Sequence, residues 1–488
     1  MKAVNYIYKA IDSALTAQSK RLNPKKIATP IKKASFDAPP RAKNDFFSVG
    51  YSKMSILPDD ISKKKYYIAG YGENKPAEGV LDAPHTHAVW IDDLSGHGGI
   101  VLVSLDIVGM LNSDVNRLRR RLNEFAKLSG CRSINIVSTH NHAGIDTMGI
   151  WGPLPFSGKD PKYMELVFSQ TVKAVEQAYA SRKIGKLWLG KTEVPDMQED
   201  IRTPVVYSKT LTRLRFEPAD GGKDIYIVNF ASHSESLQGC NKLVSGDFPY
   251  YFREKILEET GAETLYCVGA IGGMISMEIK NEDEIRDNGN DFSQSTKEIG
   301  RKLADYALSI SEETLLKPQI GCIRQEVYFK AKNSILLLAA KIGLLDATEY
   351  RMPDGSGFAM KSEISYIEID SLRILLIPCE IFPELVYGGY LSAEESATGK
   401  GGEINPVPLQ EIVGDDVMII GLANDELGYV LPPNDFILNP EAPYFENGRD
   451  SHNRRHYEET NSLGPETAQK IADTVAEIIN TVEKSKNM

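Results

Sequence analysis

The sequence predicts an α/β fold: a single large domain of mixed β-sheets flanked by helices, with a candidate metal site at strand ends. Three observations carry this expectation. Short apolar runs rich in β-branched residues alternate with segments whose apolar residues recur at helical spacing. Beyond residue 45 there is no internal repeat and no compositional break strong enough to mark a second domain boundary. Several apolar runs end directly in loops carrying His, Glu, Asn or Ser.

In chain order, Met1 to Lys20 spaces Val4, Ile7, Tyr8, Ile11 and Leu15 as one face of an amphipathic helix. Lys20 to Lys43 is basic and proline-containing, with Lys25-Lys26, Lys32-Lys33 and Pro39-Pro40. Residues 1–45 therefore read as a helix and linker ahead of a domain spanning 46–488. The pair is suited to peripheral contact with an anionic membrane, although a solvated linker is the simpler use. Strand patterns follow at Gly99–Val108, Ser133–Val137, Asp224–Ala231, Glu263–Gly269, Ile320–Phe329, Ser365–Ile377 and Val417–Leu422. A helix after Asn112-Ser113-Asp114 places Val115, Leu118, Leu122 and Phe125 on one face and stops at Gly130. Further helices are expected over Pro249–Thr260 and Gln294–Ser311. The last begins at Pro465 and aligns Ala468, Ile471, Val475, Ile478 and Val482 as a core stripe.

The chain has 488 residues, 42% of them hydrophobic and 25% charged, with a formal net charge of -11. That balance is ordinary for a globular protein and argues against nucleic acid as a partner, because phosphate binding needs a basic surface. The five cysteines are scattered without CxxC spacing, mostly in apolar stretches, which predicts buried free thiols. No run approaches the ~20 apolar residues of a membrane span. Together with the lack of a signal-peptide pattern, this favours the cytoplasm. Nothing in the sequence sets an oligomeric state.

The segment Thr139-His140-Asn141-His142-Ala143-Gly144 directly follows the apolar run Ile134–Val137. Two imidazoles at a strand mouth suggest a metal or acyl-transfer site. On an extended chain, i and i+2 side chains point to opposite faces, so different roles are expected for His140 and His142 unless the chain turns at Ala143-Gly144. Four further segments place polar side chains after apolar strands: Ala231-Ser232-His233 with Ser245-Gly246-Asp247, Pro378-Cys379-Glu380, Ala423-Asn424 with Gly428-Tyr429-Val430, and Tyr444-Phe445-Glu446-Asn447-Gly448. Strand ends on one sheet edge converge in space, so these residues can meet. The remaining histidines, His85, His87, His97, His452 and His456, are expected at the surface or at a pocket rim, with His87 the one worth testing.

Taken in order, these segments resemble the catalytic domain of the neutral/alkaline ceramidases, whose corresponding stretches read approximately THTHSG, SH with SGD, PGE, NGYTHYV and RYEG. The resemblance runs from about Phe46 to the C-terminal helix. It implies a Zn²⁺ ion held by His140, His233, Glu380 and Tyr429, a ligand set acceptable to zinc with a position left open. It further implies hydrolysis of the N-acyl amide of ceramide or a related N-acyl amphiphile by a zinc-activated water, with His142 hydrogen-bonding the carbonyl or departing carboxylate and Tyr444 stabilising the oxyanion.

The chain also departs from that pattern. The family's GDVSP segment, with an essential serine, is replaced by Gly269-Ala270-Ile271-Gly272-Gly273-Met274-Ile275-Ser276, which puts Gly272 on the serine position; Ser276 serves only if the loop shifts. An arginine-containing GIHTRL segment becomes Gly79-Val80-Leu81-Asp82-Ala83-Pro84, and no counterpart of the family's C-terminal immunoglobulin-like domain is expected. These departures keep two other readings open: a zinc hydrolase of a different amide or ester, and a non-catalytic metal- or lipid-binding homologue.

Overall fold

The computed structural model describes Ala10, Ser13, residues 27–39, Ala42 and residues 44–487. The predicted N-terminal helix and the first part of its linker lie outside the described residues. Nine strands form the larger sheet: β1 (Phe47–Ser55), β2 (His85–Asp92), β3 (Ile100–Leu105), β4 (Ser133–Ser138), β5 (Lys183–Glu193), β6 (Thr210–Pro218), β7 (Ile225–Phe230), β8 (Glu263–Val268) and β9 (Glu313–Leu315). Their order is β8-β7-β6-β5-β1-β2-β3-β4, with β9 on β5. The terminal pairs β7–β8 and β3–β4 are parallel and the pairs between them antiparallel. The second sheet comprises β10 (Ile320–Ala331), β11 (Glu349–Arg351), β12 (Phe358–Ile369), β13 (Leu372–Leu376) and β14 (Met418–Ile420), ordered β10-β12-β13-β14 with β11 on β12.

The parallel strands are legible because they are buried on both faces and read as continuous apolar runs, and antiparallel β10 is legible as well. β3 and β4 are nearly all interior residues. β1 and β2 carry no such signal: Ser48, Gly50, Ser52, His85 and His87 interrupt their apolar pattern. The predicted strand Ser365–Ile377 is instead the end of β12, a turn at Asp370 with φ 53°, and β13.

Helices cover both outer faces. On one side lie α1 (Asn112–Arg121), α2 (Asn123–Ser129), α3 (Pro161–Ala180), α4 (Asp247–Thr260) and α5 (Ser293–Ser309); on the other, α6 (Ser334–Lys341) and α7 (Glu466–Lys486). The helix predicted to run to Gly130 breaks at Leu122 and then ends at Gly130 in a left-handed cap. α3 starts at Asp160, whose side chain accepts hydrogen bonds from the Lys162 and Tyr163 backbone, with Pro161 in the first turn. It buries Tyr163, Val167, Phe168 and Val175 against β1 and β2. Between the two sheets, Val89, Leu102, Leu187 and Phe216 meet Ile367, Ile374, Met418 and Ile420 in one apolar layer. The result is a helix–sheet–sheet–helix stack.

The described part of the linker is anchored at a few points, while Pro30, Lys32, Lys33 and Ser35 are exposed. Ala28 donates a backbone hydrogen bond to Arg351, and Asp37 exchanges two with Cys322 on the β10 edge. Phe36 is buried there, so a segment rich in Lys and Pro still covers a sheet edge through its few apolar residues. No helix among the described residues is long and apolar enough to cross a membrane. The cysteines are free: Cys267, Cys322 and Cys379 are buried, Cys131 is half-buried and Cys240 exposed.

What positions the site is the junction of the sheets. The chain leaving β14 runs between the ends of the two terminal parallel pairs: Gly421 donates to Val268 O at 3.1 Å, and Ser138 donates to Leu422 O at 3.3 Å. Across the same seam Ser104 Oγ donates to Tyr266 O at 2.5 Å. The C-terminal ends of β4, β7, β8, β13 and β14 therefore open onto one place.

Beyond that junction Glu384 is buried in a short helix, and burial pushes its carboxyl up to about 8. Because the folded-state value is raised, its contribution to stability is full below the unfolded carboxylate pKa and is lost as pH rises through about 8. Urea denaturation at both ends of that window should show wild type losing on the order of a few kcal/mol more than Glu384→Gln.

Candidate metal centre

His140 follows β4 in a left-handed backbone conformation, φ 55°. The turn comes at His140 itself, not at Ala143-Gly144, and it overturns the expectation of opposed rings. The His140 and His142 ring centroids are 4.7 Å apart. Hydrogen bonds hold the unusual backbone in place: Thr139 N–H reaches Leu105 O, Asn141 N–H reaches Ile107 O, and His142 N–H reaches Ser234 O. Asn141 is spent on structure, donating to Asp106 O and Ser245 O.

His233 leaves β7 and lies edge-on beside this pair, 4.8 Å from His140 and 5.6 Å from His142 between ring centroids. The three imidazoles are buried, and a ligand atom from each lies within 4.8 Å of the others, a group that could hold a metal ion. Glu380 enters from the second sheet. It pairs in parallel register with Tyr429 in a two-stranded ribbon, Glu380–Ile381 against Tyr429–Val430. Its Oε2 lies 3.2 Å from His140 Nε2 and 3.1 Å from His233 Nε2.

The other nitrogens decide what that contact means. His140 Nδ1 is 2.8 Å from Val108 O, and His233 Nδ1 is 2.9 Å from Ile275 O. A carbonyl only accepts, so both Nδ1 atoms carry hydrogen and, in the neutral rings, both Nε2 atoms are lone pairs. Two lone pairs and a carboxylate oxygen then face one another in the interior. Such a cluster needs protons on the imidazoles or a cation between them. Two ligands about 2.0–2.1 Å from one tetrahedral zinc stand roughly 3.3 Å apart, which the observed separations fit. Burial would raise the Glu380 carboxyl, yet the charges and contacts of His140 and His233 hold it well below the usual carboxylate range.

His142 is held differently. Its Nδ1 contacts Glu235 Oε2 at 3.2 Å, and Tyr71 lies edge-on to the ring at 5.1 Å. Tyr71 donates to the same carboxylate oxygen at 2.9 Å, and Ser276 Oγ donates to the other. Burial pushes His142 down to about 4, with Glu235 opposing and the other two imidazoles adding to the fall. Glu235 is the residue that sequence reasoning missed, although it sits two positions after His233.

A cavity of about 760 Å³ opens over His140, His142, Glu380 and Tyr429. Leu111, Met148, Trp151, Leu336 and Leu345 wall its apolar side. Tyr429 donates weakly to Met274 Sδ at 3.7 Å, and Tyr457 packs edge-on to it at 6.2 Å and also lines the cavity. Tyr444, buried with φ 60°, lies toward Gly464 and is not among the lining residues. Two histidines expected at the surface are interior. His87 sits on β2 against Tyr51, with Nδ1 2.7 Å from the hydroxyl, and its Nε2 is 3.8 Å from Asp106, itself paired with Arg253. His456 is buried between Asp450 and Glu459.

With this geometry in hand, comparison with solved structures is informative. The crystal structure of neutral ceramidase from Pseudomonas aeruginosa superposes with a TM-score of 0.65 at 16% identity, covering 92% of this chain and 75% of that one. The chain has the neutral ceramidase fold. A ceramidase complexed with C2 gives a TM-score of 0.62, also at 16% identity, covering 91% of this chain and 76% of the other. No protein-family model and no curated protein matches the sequence.

Within this ceramidase fold, Gly272 has no room for a side chain. A Cβ there would stand 2.6 Å from Phe382 Cδ2 and 2.7 Å from Glu380 O, and its N–H donates to Ile381 O. Gly272→Ser should therefore destabilise the protein by roughly 1–3 kcal/mol in thermal and urea unfolding.

Proposed function

We propose that the protein is a metal-dependent hydrolase that cleaves the N-acyl amide of ceramide or a related N-acyl amphiphile. The observation that carries this reading is the convergence of His140 Nε2, His233 Nε2 and Glu380 Oε2, three acceptors beneath an apolar-walled cavity. In it His140, His233 and Glu380 hold a zinc ion, with Tyr429 as the fourth ligand. When bound, the ion would polarise the scissile carbonyl and acidify water at the site.

The remaining work falls to the chain's own groups. Leu111, Met148, Trp151, Leu336 and Leu345 take the acyl chain and exclude bulk water. In this reading Glu235, whose Oε2 lies 3.2 Å from Nδ1, would orient the imidazole of His142. A ring pushed down to about 4 is neutral at neutral pH, so Nε2 enters as a proton acceptor. That refines the donor role expected from the resemblance: His142 takes a proton from water and passes it to the leaving amine. Burial keeps the Tyr457 phenol protonated, and its hydroxyl stabilises the developing oxyanion in place of Tyr444. Ser276 donates to Glu235 and serves to orient that carboxylate.

The glycine at 272 favours a second reading, in which the same metal acts on a different amide or on an ester. The test is release of free sphingoid base from a short-chain ceramide by purified protein, with and without a chelator. Chelator-sensitive release is expected, with kcat reduced roughly 10²–10³-fold by Tyr457→Phe and only a few-fold by Tyr444→Phe. A metal-loaded protein that releases nothing would remove ceramide as the substrate, and an amide and ester panel would then test the second reading. Elemental analysis separates the ligand sets. His140→Ala and His233→Ala should lose the metal while His142→Ala keeps it; loss in all three would favour ligation by three histidines.

A further inference from the structure

Beside the cavity mouth stand apolar side chains that none of the described residues covers. Leu154 is 57% exposed, Phe156 71% and Ile342 58%. The first two stand on the loop 149–158 and the third at the end of α6. Trp151 and Leu344, half-buried behind them, continue inward as cavity wall. The two segments touch at their bases, where a Cβ on Gly149 would lie 2.4 Å from Leu344 O. Gly158 N–H to Gly149 O, Phe156 N–H to Pro153 O and Asn74 N–H to Trp151 O tie the loop down. The rim is therefore a fixed feature of the fold. Beside it α1 presents Arg117 and Arg120 to the cavity. Arg117 is spent on Asp114 and Asp346 at 2.9 and 3.2 Å. Arg120 is exposed and has no ion-pair partner among the described residues.

We propose that this rim docks on a phospholipid bilayer, with Leu154, Phe156 and Ile342 entering the headgroup region and Arg120 meeting lipid phosphate. A folded protein partner fits poorly. The exposed side chains are isolated at loop tips, separated by Pro155, Ser157 and Gly343, and they encircle an opening that such a partner would close. A bilayer accepts separate apolar side chains and adjacent cations, with an aromatic ring at headgroup depth. The apolar rim is continuous with the apolar wall, so an amphiphile can pass from lipid to cavity without crossing water. The inference rests on the preceding reading that the substrate is an amphiphile. It differs from the membrane contact considered for residues 1–43, because it places the contact at the cavity mouth.

The test is co-sedimentation of the full-length protein with vesicles of phosphatidylcholine alone and of phosphatidylcholine with phosphatidylserine. Wild type should bind both, and more strongly when phosphatidylserine is present. The double variant Phe156→Ser, Ile342→Ser should bind roughly tenfold more weakly. Neither residue lines the cavity, so its unfolding transition and its turnover of a soluble short-chain amide should match wild type. The control is Ile184→Ser, 53% exposed on β5, which should bind as wild type does. Failure of wild type to bind, unchanged binding by the double variant, or equal weakening by the control would overturn the proposal. Rim-dependent binding without amide turnover would instead leave the surface standing and remove the amide-hydrolase reading; turnover without vesicle binding would do the reverse.

Discussion

Hydrogen-bond acceptors that face one another in a protein interior must have a proton or a cation between them, and the site of this protein depends on that constraint. The Val108 and Ile275 carbonyls assign the hydrogen of each imidazole to Nδ1. Glu380 then completes a cluster of acceptors that burial makes costly unless it is neutralised. Much of the surrounding structure can be understood as support for it. The seam between the sheets brings Glu380 to the histidines, and the left-handed turn at His140 aims its ring inward. Hydrogen bonds between residues 139–142 and Ser234 lock the two histidine loops together. Charge on the cluster therefore couples directly to the stability of the junction.

How much of this was legible from sequence follows from the physics of each element. The parallel strands, the strand-end placement of His140, His233 and Glu380, and the helix ends at Gly130 and Gly261 were readable, since double-sided burial and glycine caps leave local signatures. β1 and β2 were not, because their interior positions include His87, which is neutralised by burial and paired with Tyr51 only after folding. The convergence of His140 and His142 was also hidden. Spacing alone assumes an extended chain, and one residue with positive φ reverses the conclusion. Tyr457 was a problem of register: two Tyr-containing segments follow Tyr429, and only the tertiary fold distinguishes the one facing the cavity.

Glu235 shows how a site can shift without losing its frame. Its carboxylate collects Tyr71, Ser276 and His142, so three polar groups around the cavity take their orientation from one buried acid. Gly272 complements it, since the close approach of that backbone to Glu380 and Phe382 leaves the ribbon free to seat the carboxylate but removes any hydroxyl from the position. A serine at 276 is engaged on the far side of Glu235. In the proposed reaction, proton transfer would centre on His142, and the hydroxyls would be left to position and to stabilise charge.

The ligand set and the substrate wall come from different parts of the chain, and that separation matters for function. The candidate metal ligands sit on strand ends and the short ribbon at the sheet junction. The cavity's apolar face comes from α6, the loop 149–158 and residues 344–347, which pack on the outside of that frame. Substitutions in the wall can change volume, polarity or access while the acceptor cluster stays fixed by backbone carbonyls. A shared fold at 16% identity thus leaves the wall free to differ while the frame of strand ends is kept. On the proposed reading, specificity is accordingly to be sought in the wall, and reactivity in the groups that the strand ends deliver.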